Sequence, residues 1–146
     1  MPESLLVRLR TAFRKVKLLQ TFGTGETGIS QTSSSSSSST LLLLDDPKIK
    51  HCIVKGELWL RSRFQILGYL NHSMESFTKN GWFKTGDMVE EVWDGFIRIK
   101  GRLEELINVG GQKVLPADVE SIFKEMRQVE DCLVYIEPNP ITGQIV

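Results

Sequence analysis

The feature that most constrains this chain is a series of short apolar stretches broken by glycine turns. Residues 50–54 and 57–61 flank Lys55-Gly56. Residues 88–92 and 96–100 flank Trp93-Asp94-Gly95, and residues 106–109 and 112–115 flank Gly110-Gly111. Each pattern predicts a local β-hairpin, because glycine supplies the positive φ that tight hairpin turns require. Strands that pair with their immediate neighbours build antiparallel sheet, since parallel pairs need long crossovers between them. A helix is expected over 116–126, where Pro116 suits the first turn and Val119, Ile122, Phe123 and Met126 recur at helical spacing. Asp118 and Glu120 lie near its N-terminus, where the helix dipole favours them. A strand over 132–137, a turn over 138–143 and the opening of another strand at 144–146 complete an α+β pattern.

At the other end, Leu5, Leu6, Leu9 and Phe13 form one apolar stripe behind Pro2, which predicts a surface helix. Arg8, Arg10, Arg14, Lys15 and Lys17 also suit an organelle transit peptide. The strand expected directly behind, over 16–22, favours the helix. Thr32, Ser33 to Ser39 and Thr40 predict a mobile loop over 32–40, because such a tract has nothing to bury and solvates its own backbone.

Composition excludes several classes. The 18 Lys+Arg balance 18 Asp+Glu, so no generic polyanion surface, and no nucleic-acid partner, is expected. The aliphatic run Leu41 to Leu44 is far short of the ~20 residues of a membrane-spanning helix. Cys52 and Cys132 lie far apart without CxxC spacing, and His51 and His72 are isolated. They read as reduced thiols of a cytoplasmic protein without a zinc site.

Gly23, Gly25 and Gly28 spell G-x-G-x-x-G, with Asp45 and Asp46 about twenty residues on, as in a dinucleotide-binding fingerprint. That motif works only if a helix starts inside the loop and holds the pyrophosphate. Ile29-Ser30-Gln31-Thr32 and the serines after it do not make that helix. A kinase glycine loop fails too, for want of a later lysine strand or HRD-like segment. The loop reads either as a bare turn, or as a site where Glu26 holds a magnesium ion bridging phosphates while Phe22 offers a flat face to a base.

Two further segments carry a resemblance. Gly81-Trp82-Phe83-Lys84-Thr85-Gly86-Asp87 resembles the "GW-[YF]-[RK]-TGD" segment of the adenylate-forming enzymes: acyl-CoA synthetases, luciferases and peptide-synthetase adenylation domains. Residues 101–114, from Gly101-Arg102-Leu103-Glu104-Glu105 to Lys113-Val114, resemble that family's hinge and the strand pair after it. Leu115-Pro116-Ala117-Asp118-Val119-Glu120 resembles its next helix start. Phe22-Gly23-Thr24-Gly25-Glu26 is similar to its "Y-G-x-T-E" loop, and Gly56-Glu57-Leu58-Trp59 and Gly68-Tyr69-Leu70-Asn71 to "GEL-[WY]" and "GYxN".

The resemblance implies the β-rich C-terminal part of a large AMP-binding domain (1–100), a hinge (101–105) and the start of a small α+β domain (106–146). It implies joining of a small carboxylic acid to AMP from ATP, then transfer of the acyl group to the thiol of CoA or of a carrier protein's phosphopantetheine. Glu26 would hold Mg2+. Phe22 would stack on adenine, and Gly23, Thr24 and Gly25 would line the phosphate. Gly25 stands where the family has threonine, at the cost of one hydroxyl donor. Asp87 would accept hydrogen bonds from both ribose hydroxyls, and Arg102 would reach the ribose from the hinge side. Glu104 occupies the hinge position, and Gly110 and Gly111 would border the thiol-acceptor tunnel. Lys113 would face the phosphate or the thiol donor. Singly, each residue also has a plain structural role: Asp87 as a turn cap, Arg102 and Glu105 as a surface ion pair, Gly110-Gly111 as a hairpin turn. No segment resembles the family's lysine-ended phosphate loop, and its catalytic lysine is expected beyond Val146. The chain alone is therefore expected to be a poor catalyst, or a non-catalytic nucleotide- or protein-binding remnant.

Overall fold

The computed structural model describes residues 3–16, 18, 20–34 and 40–145. It forms two compact units, Met1–Thr85 with Val89–Ile99, and Gly86–Met88 with Lys100–Val146.

In the first unit, α1 (Glu3–Ala12) buries Leu6 and partly covers Leu9, while Phe13 lies in solvent; Pro2 lies outside the described residues. β1 (Phe22–Thr24) and β2 (Gly28–Ser30) form a small antiparallel hairpin. β3 (Thr32–Ser34), β4 (Leu42–Leu44), β5 (Ile49–Val54), β6 (Glu57–Ser62), β7 (Phe83–Trp93) and β8 (Phe96–Arg102) make a six-stranded sheet in the order β3-β4-β8-β7-β6-β5. Lys55 and Gly56 turn β5 into β6 with φ of 52° and 84°, the backbone of a tight two-residue hairpin turn. The second predicted hairpin turns on Asp94-Gly95 alone, with φ of 45° and 77°, so Trp93 joins β7.

Phe22, Leu42, Leu44, Ile49, Leu58, Leu60, Val89 and Ile97 meet in one hydrophobic cluster. Alternation along the strands produces it, because a pleated strand turns every second side chain to the same face. The one polar side chain that β7 buries in this unit, Thr85, is satisfied by donating to the Leu58 carbonyl at 2.7 Å.

Two expectations fail here. No strand spans 16–22: Val16 is exposed and regular pairing begins at Phe22. Lys17 and Leu19 lie outside the described residues. The loop over 32–40 also starts late, since Thr32–Ser34 pairs with Leu42–Leu44 as β3. Serine can join a ladder because pairing uses backbone groups, and the leucines opposite supply the apolar side chains. Residues 35–39 lie outside the described residues.

The second unit continues through a single 3-10 turn (Leu103–Glu105), β9 (Ile107–Val109), β10 (Gln112–Val114), α2 (Pro116–Lys124), β11 (Glu137–Asn139) and β12 (Gly143–Ile145). The strands pair antiparallel in the order β10-β9-β12-β11. Pro116 opens α2 as the sequence predicts, and the helix ends two residues early. The strand expected over 132–137 is absent. Its backbone amides bond side chains instead: Cys132 N–H donates to Asp131 Oδ1 at 2.9 Å and Val134 N–H to Glu120 Oε1 at 3.0 Å. Pairing is deferred to Glu137–Asn139. The chain is α+β, with most of its ordered structure in sheet.

Candidate functional site

The glycine turn is built around two close approaches. A Cβ on Gly23 would sit 2.8 Å from Ile29 Cα across the β1–β2 pair, so only glycine allows this hairpin to close. Thr24 then ties the turn: its hydroxyl accepts from Thr27 N–H at 3.1 Å and lies 2.9 Å from the buried Thr27 hydroxyl. Gly25 faces open space, and a Cβ there would touch nothing within 4 Å. The fold would accept a threonine at this position, so the missing hydroxyl is not imposed by packing.

Glu26 follows at the tip, half-buried. Its Oε1 accepts from the Tyr69 hydroxyl at 2.7 Å, and its carbonyl accepts from Ile66 N–H at 2.9 Å. The Glu26 carboxylate pushes the Tyr69 hydroxyl above its ordinary pKa, chiefly through that hydrogen bond. Phe22 is buried, with 8% of its surface exposed, and its ring belongs to the core cluster. The dinucleotide reading does not survive, because β2 starts at Gly28 where that fingerprint needs a helix N-terminus.

In the second unit, Asp87 is 8% exposed and holds Arg102 at 2.9 Å between Oδ1 and a guanidinium nitrogen. Gly86, with φ of 73°, puts an αL residue inside β7 just before it, a conformation that a side chain would strain. The Asp87 hydrogen bond and charge raise the already high pKa of Arg102, so the guanidinium stays charged. Arg102 Nε also lies 3.8 Å from the exposed Glu104, which stands in the 3-10 turn. The charge of Glu105 also acts on Arg102, alongside these two acids.

Gly110 and Gly111 form the β9–β10 turn. Gly110 N–H donates to Thr142 O at 3.1 Å and Gly111 N–H to Asn108 Oδ1 at 3.0 Å. Lys113 is exposed on β10, paired in register with Asn108. A separate cavity of about 220 Å3, lined by His51, Cys52, Ile53, Glu91, Gly95 and Ile97, contains no motif residue. Burial pushes the Cys52 thiol up, which opposes a nucleophilic role.

The donor set at the glycine turn fits magnesium rather than zinc. Among the described residues no group of three or more His, Cys, Asp or Glu side chains could hold a metal. A lone carboxylate is the hard, sparse ligand that Mg2+ uses when phosphates and water complete its shell. Among the described residues no helix is long and apolar enough to cross a membrane.

No protein-family model matches the chain. An acyl-CoA synthetase of Gibberella moniliformis, FUM10, is 34% identical over 96 residues, which is 64% of this chain and 17% of that protein. A solved variant of E. coli MenE with bound OSB-AMS is 27% identical, with a TM-score of 0.56 over 70% of this chain and 24% of that one. The amide bond synthetase McbA of Marinactinospora thermotolerans shares the fold, with a TM-score of 0.74 at 23% identity, covering 97% of this chain and 33% of McbA. The chain is similar to adenylate-forming, AMP-binding enzymes over about two thirds of its length. It spans about a sixth of the length of such a curated relative.

At this site, sequence reasoning singled out Glu26, Asp87 and Arg102 but overlooked Tyr69 as a partner of Glu26. The Gly68-Tyr69-Leu70-Asn71 segment was the available signal. Nothing in its spacing says that its hydroxyl reaches a carboxylate 43 residues upstream.

Proposed function

We propose that this chain is the nucleotide-contacting segment of an ATP-dependent ligase that activates a small carboxylic acid. The carboxylate oxygen attacks the α-phosphorus of ATP, giving acyl-AMP and pyrophosphate. A thiol of CoA or of a carrier protein's phosphopantetheine then displaces AMP, leaving a thioester. Asp87 and Arg102 take the ribose, and Thr24 and Gly25 border the phosphates. Glu26 would hold Mg2+, whose charge would offset the crowded phosphate charge. Glu104 marks the hinge between a large-domain portion (1–100) and a small-domain portion (106–146). Gly110, Gly111 and Lys113 face the thiol acceptor.

The observation that supports this reading best is the Asp87–Arg102 pair. A carboxylate that buried is costly without a charged or hydrogen-bonding partner, and Arg102 is exposed enough to move aside. A ribose diol presents two hydroxyl donors suited to the same carboxylate. Calorimetry with AMP and with 2′,3′-dideoxy-AMP tests it. AMP is expected to bind more tightly, and Asp87→Ala to abolish the difference; equal binding of the two ligands by the unaltered chain overturns the reading. Because residues 1–146 hold no lysine-ended phosphate loop, the chain by itself is expected to bind nucleotide with little pyrophosphate exchange.

A further inference from the structure

We infer that Tyr69 is a positioning residue for the Glu26 carboxylate, holding it in the orientation that takes a divalent ion; this rests on the metal-ligand reading of Glu26 above. A glutamate at the tip of a turn has three side-chain torsions to immobilise before it can present an oxygen to an ion. The Tyr69 hydroxyl removes that freedom by binding Oε1 at 2.7 Å. Oε2 makes no hydrogen bond among the described residues, and it is the oxygen left for the ion.

Tyr69 is itself anchored. Its ring lies 5.7 Å from Phe77 at 58°, and Phe77 lies 5.1 Å from Phe83, the first residue of β7. Phe77 and Phe83 are also joined by a β-bridge. The Tyr69 backbone is held by its N–H, which donates to the Met74 thioether Sδ at 3.4 Å, and Phe77 N–H donates to Met74 O at 2.9 Å. The loop is tied to the glycine turn a second time through Ile66 N–H and the Glu26 carbonyl, at 2.9 Å. A rigid path of contacts therefore runs from the core strand β7 to one oxygen of one carboxylate, the arrangement by which an outer partner orients a metal ligand.

The experiment uses Mn2+ as the probe. Binding of Mn2+·ATP to the 146-residue chain is read from the electron paramagnetic resonance signal of free Mn2+, and binding of ATP in EDTA by calorimetry. Tyr69→Phe keeps the ring and loses only the hydroxyl. It is expected to weaken the Mn2+-dependent binding by about 10-fold and to leave the value in EDTA unchanged. Tyr69→Phe combined with Glu26→Gln is expected to bind like Glu26→Gln alone, because the hydroxyl acts only through that carboxylate. If Tyr69→Phe binds Mn2+·ATP like the unaltered chain while Glu26→Gln loses it, the role of Tyr69 is overturned and Glu26 keeps its own. Equal loss with and without metal also overturns it, in favour of a purely structural tyrosine. If Glu26→Gln has no effect, or Mn2+ adds nothing to ATP binding by the unaltered chain, the metal-ligand reading falls and takes this inference with it.

Discussion

The first unit gathers Leu42, Leu44, Leu58, Leu60, Val89 and Ile97 with Phe22 and Ile49 into one cluster. The second buries only Ile107 and Leu115 among its described apolar residues and leaves Ile122 and Phe123 of α2, and Met126 just beyond it, in solvent. Its three-residue strands β9 and β12 are joined by a polar contact from Asn108 N–H to Gln144 Oε1 at 2.7 Å, and Lys124 at the end of α2 pairs with Asp131 at 2.8 Å. An exposed ion pair of that kind contributes little, because solvent screens it. Burial of large apolar side chains stabilises more per residue. The difference teaches where rigidity resides: the Glu26 carboxylate is braced from a packed sheet, whereas Gly110, Gly111 and Lys113 sit on a hairpin with little packed beneath it.

The largest test of that contrast is truncation. Leu58 and Leu60 are fully buried, so Leu58→Ala or Leu60→Ala is expected to cost about 2–5 kcal/mol in urea denaturation. Ile122→Ala, at an exposed helix position, should stay within about 0.5 kcal/mol; comparable losses would erase the distinction. Hydrogen exchange sharpens it at intermediate scale. Amides of β9 and β10 are expected to exchange through openings of lower free energy than those of β5 and β6, and equal protection would break the comparison.

The smallest effect is pH-dependent. Asp46 accepts from Gln31 N–H at 3.0 Å and Lys48 N–H at 2.8 Å, and these bonds hold its carboxyl below the ordinary carboxylate range. A depressed folded pKa stabilises above the unfolded value of about 3.9 and is lost as pH falls through the folded one. Asp46→Asn is therefore expected to flatten the acid side of the stability profile slightly. An unchanged profile below pH ~4 would remove Asp46 from the account.

Local structure was legible in the sequence where a turn and its strands are neighbours. The Lys55-Gly56 and Gly110-Gly111 hairpins fall where glycine and alternation put them. The strand expected over 132–137 was misplaced because an apolar run in sequence says nothing of side-chain acceptors such as Glu120 and Asp131 that capture its amides. At the site, resemblance found the charged residues, and Asp87 and Arg102 are seen in contact. It could not find Tyr69 as a partner of Glu26, because a hydroxyl's target depends on how distant loops fold together.

The pairing of β3 with β4 has a consequence for heredity. Register on one side is written in a repeat of a single letter, Thr32 and then serine, so it must be set from elsewhere. Gln31 N–H on Asp46 at 3.0 Å and Ser33 Oγ on Asp45 at 2.7 Å set it from the end that does not repeat. Serines gained or lost after Ser34 are expected to leave Thr32 opposite Leu44, Ser33 opposite Leu43 and Ser34 opposite Leu42. The tract is a place where a gene can stutter and the protein still spell the same fold.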